Sequence, residues 1–204
     1  MNSRSKRTPD LGACRLVSVT PIGEGVIRLT LLDPEGGRHP ITVSEGAWRE
    51  AGSPGKNTDL DGTVTAKLIA LSNRREAVRH ALHILSYGDN SERTLTQKLR
   101  RLECTEEEIA YAIALVKRHG YLSEDDGCYR MADACIRRGY SRRKCEAYLF
   151  GKGYSREVIH GALTRLAGEG LADFEANRAR FIEEKQKKGM TPEQIRAALY
   201  RAGF

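Results

Sequence analysis

The chain of 204 residues is poor in aromatic side chains and contains neither a long apolar run nor a closely spaced cysteine pair. Aromatic residues make up only 6% of the sequence, so we expect no single large aromatic core. Five cysteines without a CxxC pair favour small buried thiols in a reducing compartment over a zinc site. Because we find no signal peptide and no apolar run near the roughly 18 residues of a membrane span, we expect a cytoplasmic protein without a membrane partner.

Sequence patterns that mark catalytic sites are also missing. There is no glycine-rich phosphate loop, no nucleophile elbow and no convincing pair of carboxylates. His80, His83, His119 and His160 have no accompanying set of metal ligands. We therefore predict a protein that is not an enzyme and that uses no metal or cofactor.

Positive charge is in excess and unevenly distributed along the chain. The net charge is +7, of which residues 1–73 contribute +1 and residues 74–204 contribute +6. Residues 137–165 alone carry eight Lys or Arg against two Asp or Glu. Such a concentration favours an acidic partner, with nucleic acid among the candidates.

The first third of the chain shows the alternation of apolar and polar residues that is typical of β-strands. "CRLVSVTPIGEGVIRLTLLD" alternates, "PEGG" signals a turn, and "HPITVSEGAW" follows as a third short strand. We predict a small antiparallel sheet over 14–44 after a frayed terminus at 1–10. The segment 45–72 stays open, because Thr63–Thr65 favour a strand and 66–71 favour a helix.

From about Asn73 onward the sequence predicts helices that repeat every fifty residues. A shift of fifty places Ser91 on Ser141 and Leu99 on Leu149, so that capping residues, apolar positions and terminating glycines coincide. The predicted helices are 74–87, 91–102, 105–119, 126–138, 141–152, 155–169, 173–188 and 191–202.

We therefore predict a mainly α fold in which tandem three-helix repeats follow a small antiparallel β-rich region. Each repeat has about 50 residues, the last is truncated to two helices, and stacking of the repeats predicts an elongated curved array. The predicted divisions are a frayed terminus at 1–10, the β-rich region at 11–72, and repeats at 73–122, 123–172 and 173–204.

Two runs carry short motifs in a fixed order, "LSYGDNSERTLTQKLRRLECTEEEIAYAIALVKRHGYLSEDD" and "RRGYSRRKCEAYLFGKGYSREVI". The first places Ser91, Leu95, Lys98 and Leu99 at a helix start. Gly-Tyr-Leu at 120–122 and Arg-Gly-Tyr at 138–140 follow. Together with the tandem three-helix units, these motifs resemble the RecX family, bacterial regulators of the RecA recombinase. The resemblance covers about 85–204, and the β-rich region is similar to an extension that some members carry.

The resemblance implies a non-catalytic modulator acting in recombination, DNA repair and the SOS response. Members lie in the deep helical groove of the RecA–DNA filament and limit its ATPase, strand exchange and coprotease activities. The implied partners are RecA and the RecA–single-stranded-DNA filament, with the chain itself a monomer and weak direct binding to DNA left open.

Two other functions remain as alternatives. The first is an α-helical DNA-binding protein with helix-turn-helix-like units, although "SRRKCEAYLFG" offers cations without Asn or Gln to read bases. The second is an inert α-repeat scaffold for some other protein.

The candidate contacts to RecA or to DNA phosphates surround one predicted helix start: Arg137, Arg138, Arg142, Arg143, Lys144, Lys152 and Arg156. Cations at an electropositive helix start do not stabilise the helix, which favours an anionic partner over a merely solvated charge run. A second, weaker set consists of Lys185, Lys187, Lys188, Arg196 and Arg201. Its alternative role is to complement the dipoles of helix C-termini.

Four aromatic residues follow glycines at predicted helix ends: Tyr121, Tyr140, Tyr154 and Phe204. We expect them to fill junctions between repeats, which requires buried rings. The alternative is stacking on nucleic-acid bases, which requires exposed rings.

Overall fold

The structure, a computed structural model, describes residues 8–204, in which a sheet is followed by a succession of helices. The strands are β1 (Cys14–Gly23), β2 (Val26–Leu32), β3 (Arg38–Ser44) and β4 (Thr58–Leu60). The helices are α1 (Glu45–Glu50), α2 (Gly62–Ser86), α3 (Glu92–Arg100), α4 (Glu106–Arg118), α5 (Glu124–Arg137), α6 (Arg142–Gly151), α7 (Arg156–Gly168), α8 (Phe174–Lys187) and α9 (Pro192–Ala202). The predicted mainly α fold with a small N-terminal sheet is confirmed.

The four strands form one antiparallel sheet in the order β3-β2-β1-β4. Alternate residues of β2, namely Ile27, Leu29 and Leu31, are buried on one face, as a sequence period of two predicts. Leu29 pairs with Ile41 of β3, which is also buried. The predicted strands within 14–44 are thus confirmed.

The sheet ends at residue 44 as predicted, but the last four residues of "HPITVSEGAW", which the sequence assigned to the third strand, are not extended. β3 stops at Ser44, whose Oγ accepts a hydrogen bond from Ala47 N at 3.1 Å and so caps α1. The residues "EGAW" are therefore helical, and Trp48 is buried in the core of the sheet. A serine cap followed by a turn of helix competes here with the continuation of a strand.

Helix α2 begins twelve residues earlier than predicted. Asp61 Oδ1 accepts a hydrogen bond from Val64 N at 2.9 Å and starts the helix directly after β4. Leu68 and Ile69 then join the core of the sheet. This packing outweighs the strand preference of Thr63–Thr65. The last part of the segment 45–72, which the sequence left open between strand and helix, is therefore helical.

The described residues form two compact units. The first comprises residues 8–83 together with Leu99–Val116, and the second comprises Ile84–Lys98 together with Lys117–Phe204. The sheet, Trp48 and the first half of α2 form the core of the first unit, while α5, α6 and α7 form that of the second.

The first seven residues of the predicted frayed terminus lie outside the described residues. Across residues 8–204, no helix combines the length and the apolar composition that crossing a membrane requires.

A pair of hydrogen bonds reproduces the fifty-residue repeat within the second unit. Ser91 Oγ donates to Lys152 O at 2.7 Å, and Ser141 Oγ donates to Ala202 O at 2.7 Å. Donors and acceptors are both fifty residues apart. In both cases the serine before one helix donates a hydrogen bond to a backbone carbonyl at the C-terminus of a helix in the next repeat. That carbonyl would otherwise lack a partner within its own helix.

The aromatic residues after the glycines divide into two groups. Tyr154 is 1% exposed and packs in the core that α5, α6 and α7 form, so its ring is buried as expected. Tyr140 and Phe204 are partly buried, and the Phe204 ring centroid lies 5.5 Å from that of Phe181. Tyr121 is 63% exposed, so its predicted burial is wrong. The turn after α4 leaves the Tyr121 ring outside the core, although Tyr121 follows a glycine just as Tyr154 does.

The cysteines are free thiols, and all but one are buried. Burial raises the pKa of Cys128 and of Cys145 to about 12, because the charged thiolate would lose its hydration. Cys104 is only partly buried. Within residues 8–204, no group of three or more His, Cys, Asp or Glu side chains is placed to hold a metal ion.

Candidate functional site

The first set of predicted cations lies at the turns that join α5, α6 and α7. Arg137 is the last residue of α5, and Arg138 follows it. The helix ends there because Gly139 adopts a φ of 78°, after which Ser141 caps α6 by accepting a hydrogen bond from Lys144 N at 3.2 Å. Local capping thus places five exposed cations within eight residues.

The turn between α5 and α6 borders a cavity of about 410 Å³. Of the predicted residues, Arg137, Arg138 and Lys144 line it. A fourth cation, Arg180 of α8, lines the same cavity and was not selected from the sequence. We call these four residues, Arg137, Arg138, Lys144 and Arg180, the cationic pocket. Their convergence gives one concave surface a local excess of positive charge.

A buried amide holds α8 and Arg180 in place. Asn177 is 2% exposed, and its Nδ2 donates to Ile136 O at 2.9 Å and to Tyr140 O at 3.0 Å. Arg180 donates to Asn177 Oδ1 from the next turn of the same helix. A buried Asn must have hydrogen-bond partners, so Asn177 could have indicated this contact. Its burial, however, depends on how α8 packs, and the spacing of apolar residues does not reveal that packing.

The cations of the pocket differ in how they are engaged. Arg137 forms an ion pair with Asp133 at 2.7 Å, one turn earlier on α5. Lys144 Nζ lies 3.9 Å from the centroid of the Tyr140 ring. Within residues 8–204, the side chain of Arg138 makes no hydrogen bond or ion pair. Arg138 is therefore the cation of the pocket most available to a carboxylate or phosphate.

Arg142, Arg143 and Arg156 lie outside the cavity. Arg142 pairs with Glu146 at 3.1 Å across one turn of α6. Arg143 Nη2 donates to Tyr200 O at 2.7 Å, and its guanidinium lies 5.5 Å from the centroid of the Tyr200 ring. Arg156 begins α7 and is exposed. Arg143 thus ties α6 to α9, in addition to carrying charge.

A second cavity, of about 240 Å³, lies at the equivalent place one repeat earlier, and Lys152 lines it. The residues at the positions fifty before Arg137, Arg138 and Lys144 are Tyr87, Gly88 and Thr94, and all three line this second cavity. The repeat therefore packs in the same way with neutral residues at these positions. It follows that packing does not require the three cations.

The first turn of α6 is unusual in its charge. It carries three cations and no acidic residue, whereas α3 begins with Glu92 and the first turn of α9 contains Glu193. Each cation at a helix N-terminus opposes the helix dipole by about 0.3–1 kcal/mol. The sequence thus keeps positive charge where it lowers helix stability.

The second candidate set lies on α8 and α9 and comprises Lys185, Lys187, Lys188, Arg196 and Arg201. None of these residues lines the cavity of the cationic pocket. Lys187 pairs with Glu183 at 2.7 Å, and Lys185 Nζ lies 4.8 Å from the centroid of the Phe181 ring. Most of the set lies at helix C-termini, where positive charge complements the dipole.

Comparison with known proteins relates the chain to named regulators. A family model described as "RecX, first three-helix domain" matches residues 77–114. A regulatory protein RecX from Caldanaerobacter subterraneus subsp. tengcongensis is 27% identical over 131 residues, which cover 64% of this chain and 65% of that protein. A regulatory protein RecX from Shigella boydii serotype 18 is 31% identical over 93 residues, which cover 41% of this chain and 56% of that protein. The matches thus span less than two thirds of either relative's length.

Solved structures share the fold. The crystal structure of a regulatory protein RecX superposes with a TM-score of 0.70 at 16% identity and covers 94% of both chains. The crystal structure of RecX from Lactobacillus salivarius superposes with a TM-score of 0.57 at 16% identity and covers 65% of this chain and 88% of that one. The arrangement of sheet and helices is therefore one that known proteins adopt.

Proposed function

Because the chain is a relative of the RecX regulatory proteins, we propose that it is a non-catalytic regulator of the RecA recombinase. In this proposal it binds RecA and the RecA–single-stranded-DNA filament and limits the ATPase, strand exchange and coprotease activities of RecA. Support comes from the family motifs of the helical repeats and from the naming of the relatives as regulatory proteins.

The cationic pocket is the proposed contact surface. The observation that carries this assignment is the equivalent cavity one repeat earlier. There neutral Tyr87, Gly88 and Thr94 stand in place of three of the four cations without loss of the repeat's packing, while Lys98 and Lys152 line that cavity at other positions. Cations that packing does not require, among them Lys144, which opposes the dipole of α6, are best explained by an anionic partner. That partner is an acidic surface of RecA or the phosphates of the filament's DNA. Arg142, Arg143, Lys152 and Arg156 flank this surface, and the set on α8 and α9 is a secondary one.

Direct binding to DNA is the second candidate, and the same exposed cations favour it. It predicts an affinity for naked DNA that falls steeply with salt, because each phosphate contact releases counterions. A RecA regulator instead prefers the filament over naked single-stranded DNA at the same ionic strength. Comparing the two substrates therefore separates the functions.

The sharpest variant transfers the neutral residues of the equivalent cavity into the pocket: Arg137→Tyr, Arg138→Gly and Lys144→Thr. We expect this triple variant to fold, since the repeat already accommodates these residues at the equivalent places. A control variant, Arg93→Gln, Arg118→Gln and Arg178→Gln, removes the same charge at exposed positions of the second unit that belong to neither candidate set.

The measurement is the fluorescence anisotropy of labelled single-stranded DNA, alone and coated with RecA, during titration with the protein. We expect the pocket variant to bind the filament at least about tenfold more weakly, as the loss of charged hydrogen bonds predicts. The control variant should bind like the wild type. Equal binding by wild type and pocket variant would contradict the assignment of the pocket, and tighter binding to naked DNA than to filaments would favour the second candidate.

A further inference from the structure

A groove in the first unit joins apolar walls to a row of arginines. It encloses about 370 Å³ and is lined by residues of β2, β3, α1, α2 and α4. Its apolar surface includes Val78 and Leu115, which are partly buried, and Leu82 and Tyr111, which are 37% and 46% exposed. Among residues 8–204, no acidic side chain lines it. An apolar concavity of this size is in the range of ligand and peptide sites.

The three arginines on the rim of the groove all come from α2. Arg79 is engaged by Glu76, with both carboxylate oxygens within 3.0 Å of its Nε. The Arg74 guanidinium lies 5.7 Å from the centroid of the Tyr111 ring. Arg75 is exposed, and its side chain makes no hydrogen bond or ion pair within residues 8–204. The rim thus offers one uncommitted guanidinium beside two that are held in place.

The groove follows one face of α2 over three turns. Leu71, Arg75, Val78 and Leu82 all line it, at the spacing i, i+4, i+7 and i+11 that places residues on one side of a helix. This stretch is about 16 Å long at 1.5 Å per residue. The length and the spacing match a second helix of about eleven residues with apolar residues on one face and carboxylates beside them.

We propose that this groove docks an acidic amphipathic peptide segment of a partner protein. The leucine-like side chains of the peptide pack against the apolar walls. Its carboxylates bind Arg75, with Arg74 and Arg79 close by. A nucleic acid fits less well, because phosphates would lie against apolar walls and meet one uncommitted arginine. A second copy of the chain is disfavoured by the net charge of +7 on each molecule.

The probe for this site is a synthetic fluorescein-labelled peptide of about eleven residues, with leucines at i, i+4 and i+7 and glutamates between them. Its anisotropy is followed during titration with the full chain. We expect saturable binding that weakens at least tenfold in Arg75→Glu and in Leu82→Glu, both at exposed positions where the chain should still fold. The matched control Arg38→Glu reverses an exposed arginine at the far end of β3 and should not change the affinity. A peptide with lysines in place of the glutamates should not bind.

Several results would overturn the proposal. These are the absence of saturable binding, equal affinity in Arg75→Glu, or equal affinity of the lysine peptide. Loss of single-stranded-DNA binding in Arg75→Glu without loss of peptide binding would assign the rim to nucleic acid. Self-association of the wild type that Leu82→Glu abolishes, with no peptide binding, would assign the groove to a second copy. The pocket variant Arg137→Tyr, Arg138→Gly and Lys144→Thr should bind the peptide normally, so this test is independent of the RecA contact.

Discussion

Replacing Gly153 with alanine tests the junction at which Ser91 meets the end of α6. Gly153 has a φ of 92°, which L-residues rarely adopt, and the added Cβ would lie 2.5 Å from Ser91 Oγ. Such a contact is too short, so Ser91 must move. It would then lose its hydrogen bonds to Lys152 O at 2.7 Å and from Thr94 N at 3.1 Å. The substitution therefore strains the backbone and removes a helix cap together.

The magnitude follows from these two contributions. The left-handed backbone with a Cβ costs about 1–2 kcal/mol. Loss of the serine cap costs about 0.5–2 kcal/mol more. Gly120→Ala is the matched control, because Gly120 has a φ of 73° but no atom within 4 Å of an added Cβ. We expect Gly153→Ala to lower the free energy of unfolding by about 1.5–4 kcal/mol and Gly120→Ala by about 1–2 kcal/mol.

Urea unfolding followed by far-ultraviolet circular dichroism measures both values. Gly203→Ala provides a replicate one repeat later, since Gly203 has a φ of 85° and its Cβ would lie 2.8 Å from Ser141 Oγ. Adding Ser91→Ala to Gly153→Ala should cost less than the sum of the two single changes, because both remove the same cap. If Gly153→Ala were no more destabilising than Gly120→Ala, the role of the junction would be refuted.

Two further predictions concern buried groups of the second unit. Tyr154 Oη is buried without a hydrogen-bond partner within residues 8–204, so Tyr154→Phe should leave the free energy of unfolding unchanged or raise it by about 1 kcal/mol. Tyr154→Ala should lower it by about 3–5 kcal/mol, and a large loss in Tyr154→Phe would reveal a partner for the hydroxyl. Because burial raises the pKa of Cys128 and Cys145 to about 12, only about one thiol in ten thousand is ionised at pH 8. Mass spectrometry after iodoacetamide treatment should find Cys104 labelled first, and equally fast labelling of Cys145 would contradict the burial.

Local signals account for what the sequence predicts well. The start of α6 illustrates this, because a serine cap and a preceding glycine are both encoded within three residues, Gly139 to Ser141. The fifty-residue repeat is likewise visible in caps and glycines. The hydrogen bonds from Ser91 and Ser141 then show that these capping residues also join successive repeats.

Long-range packing accounts for what the sequence does not predict. Helix α2 extends back to Gly62 because Leu68 and Ile69 are buried against the sheet, a contact that no local pattern announces. Arg180 joins the cationic pocket through Asn177, which bonds to α5 about forty residues away. Tyr121 follows a glycine as Tyr154 does, yet one ring is exposed and the other buried. Only the surrounding helices decide between these outcomes.

The most direct test of the account is the single-stranded-DNA-dependent ATPase of RecA during titration with this protein. We expect the wild type to inhibit at well below one molecule per RecA. We expect a loss of potency of about tenfold in Arg137→Tyr, Arg138→Gly and Lys144→Thr, because charged hydrogen bonds to the partner are lost. The control variant Arg93→Gln, Arg118→Gln and Arg178→Gln should inhibit like the wild type. No inhibition by the wild type would contradict the proposed function, and full inhibition by the pocket variant would contradict the proposed surface.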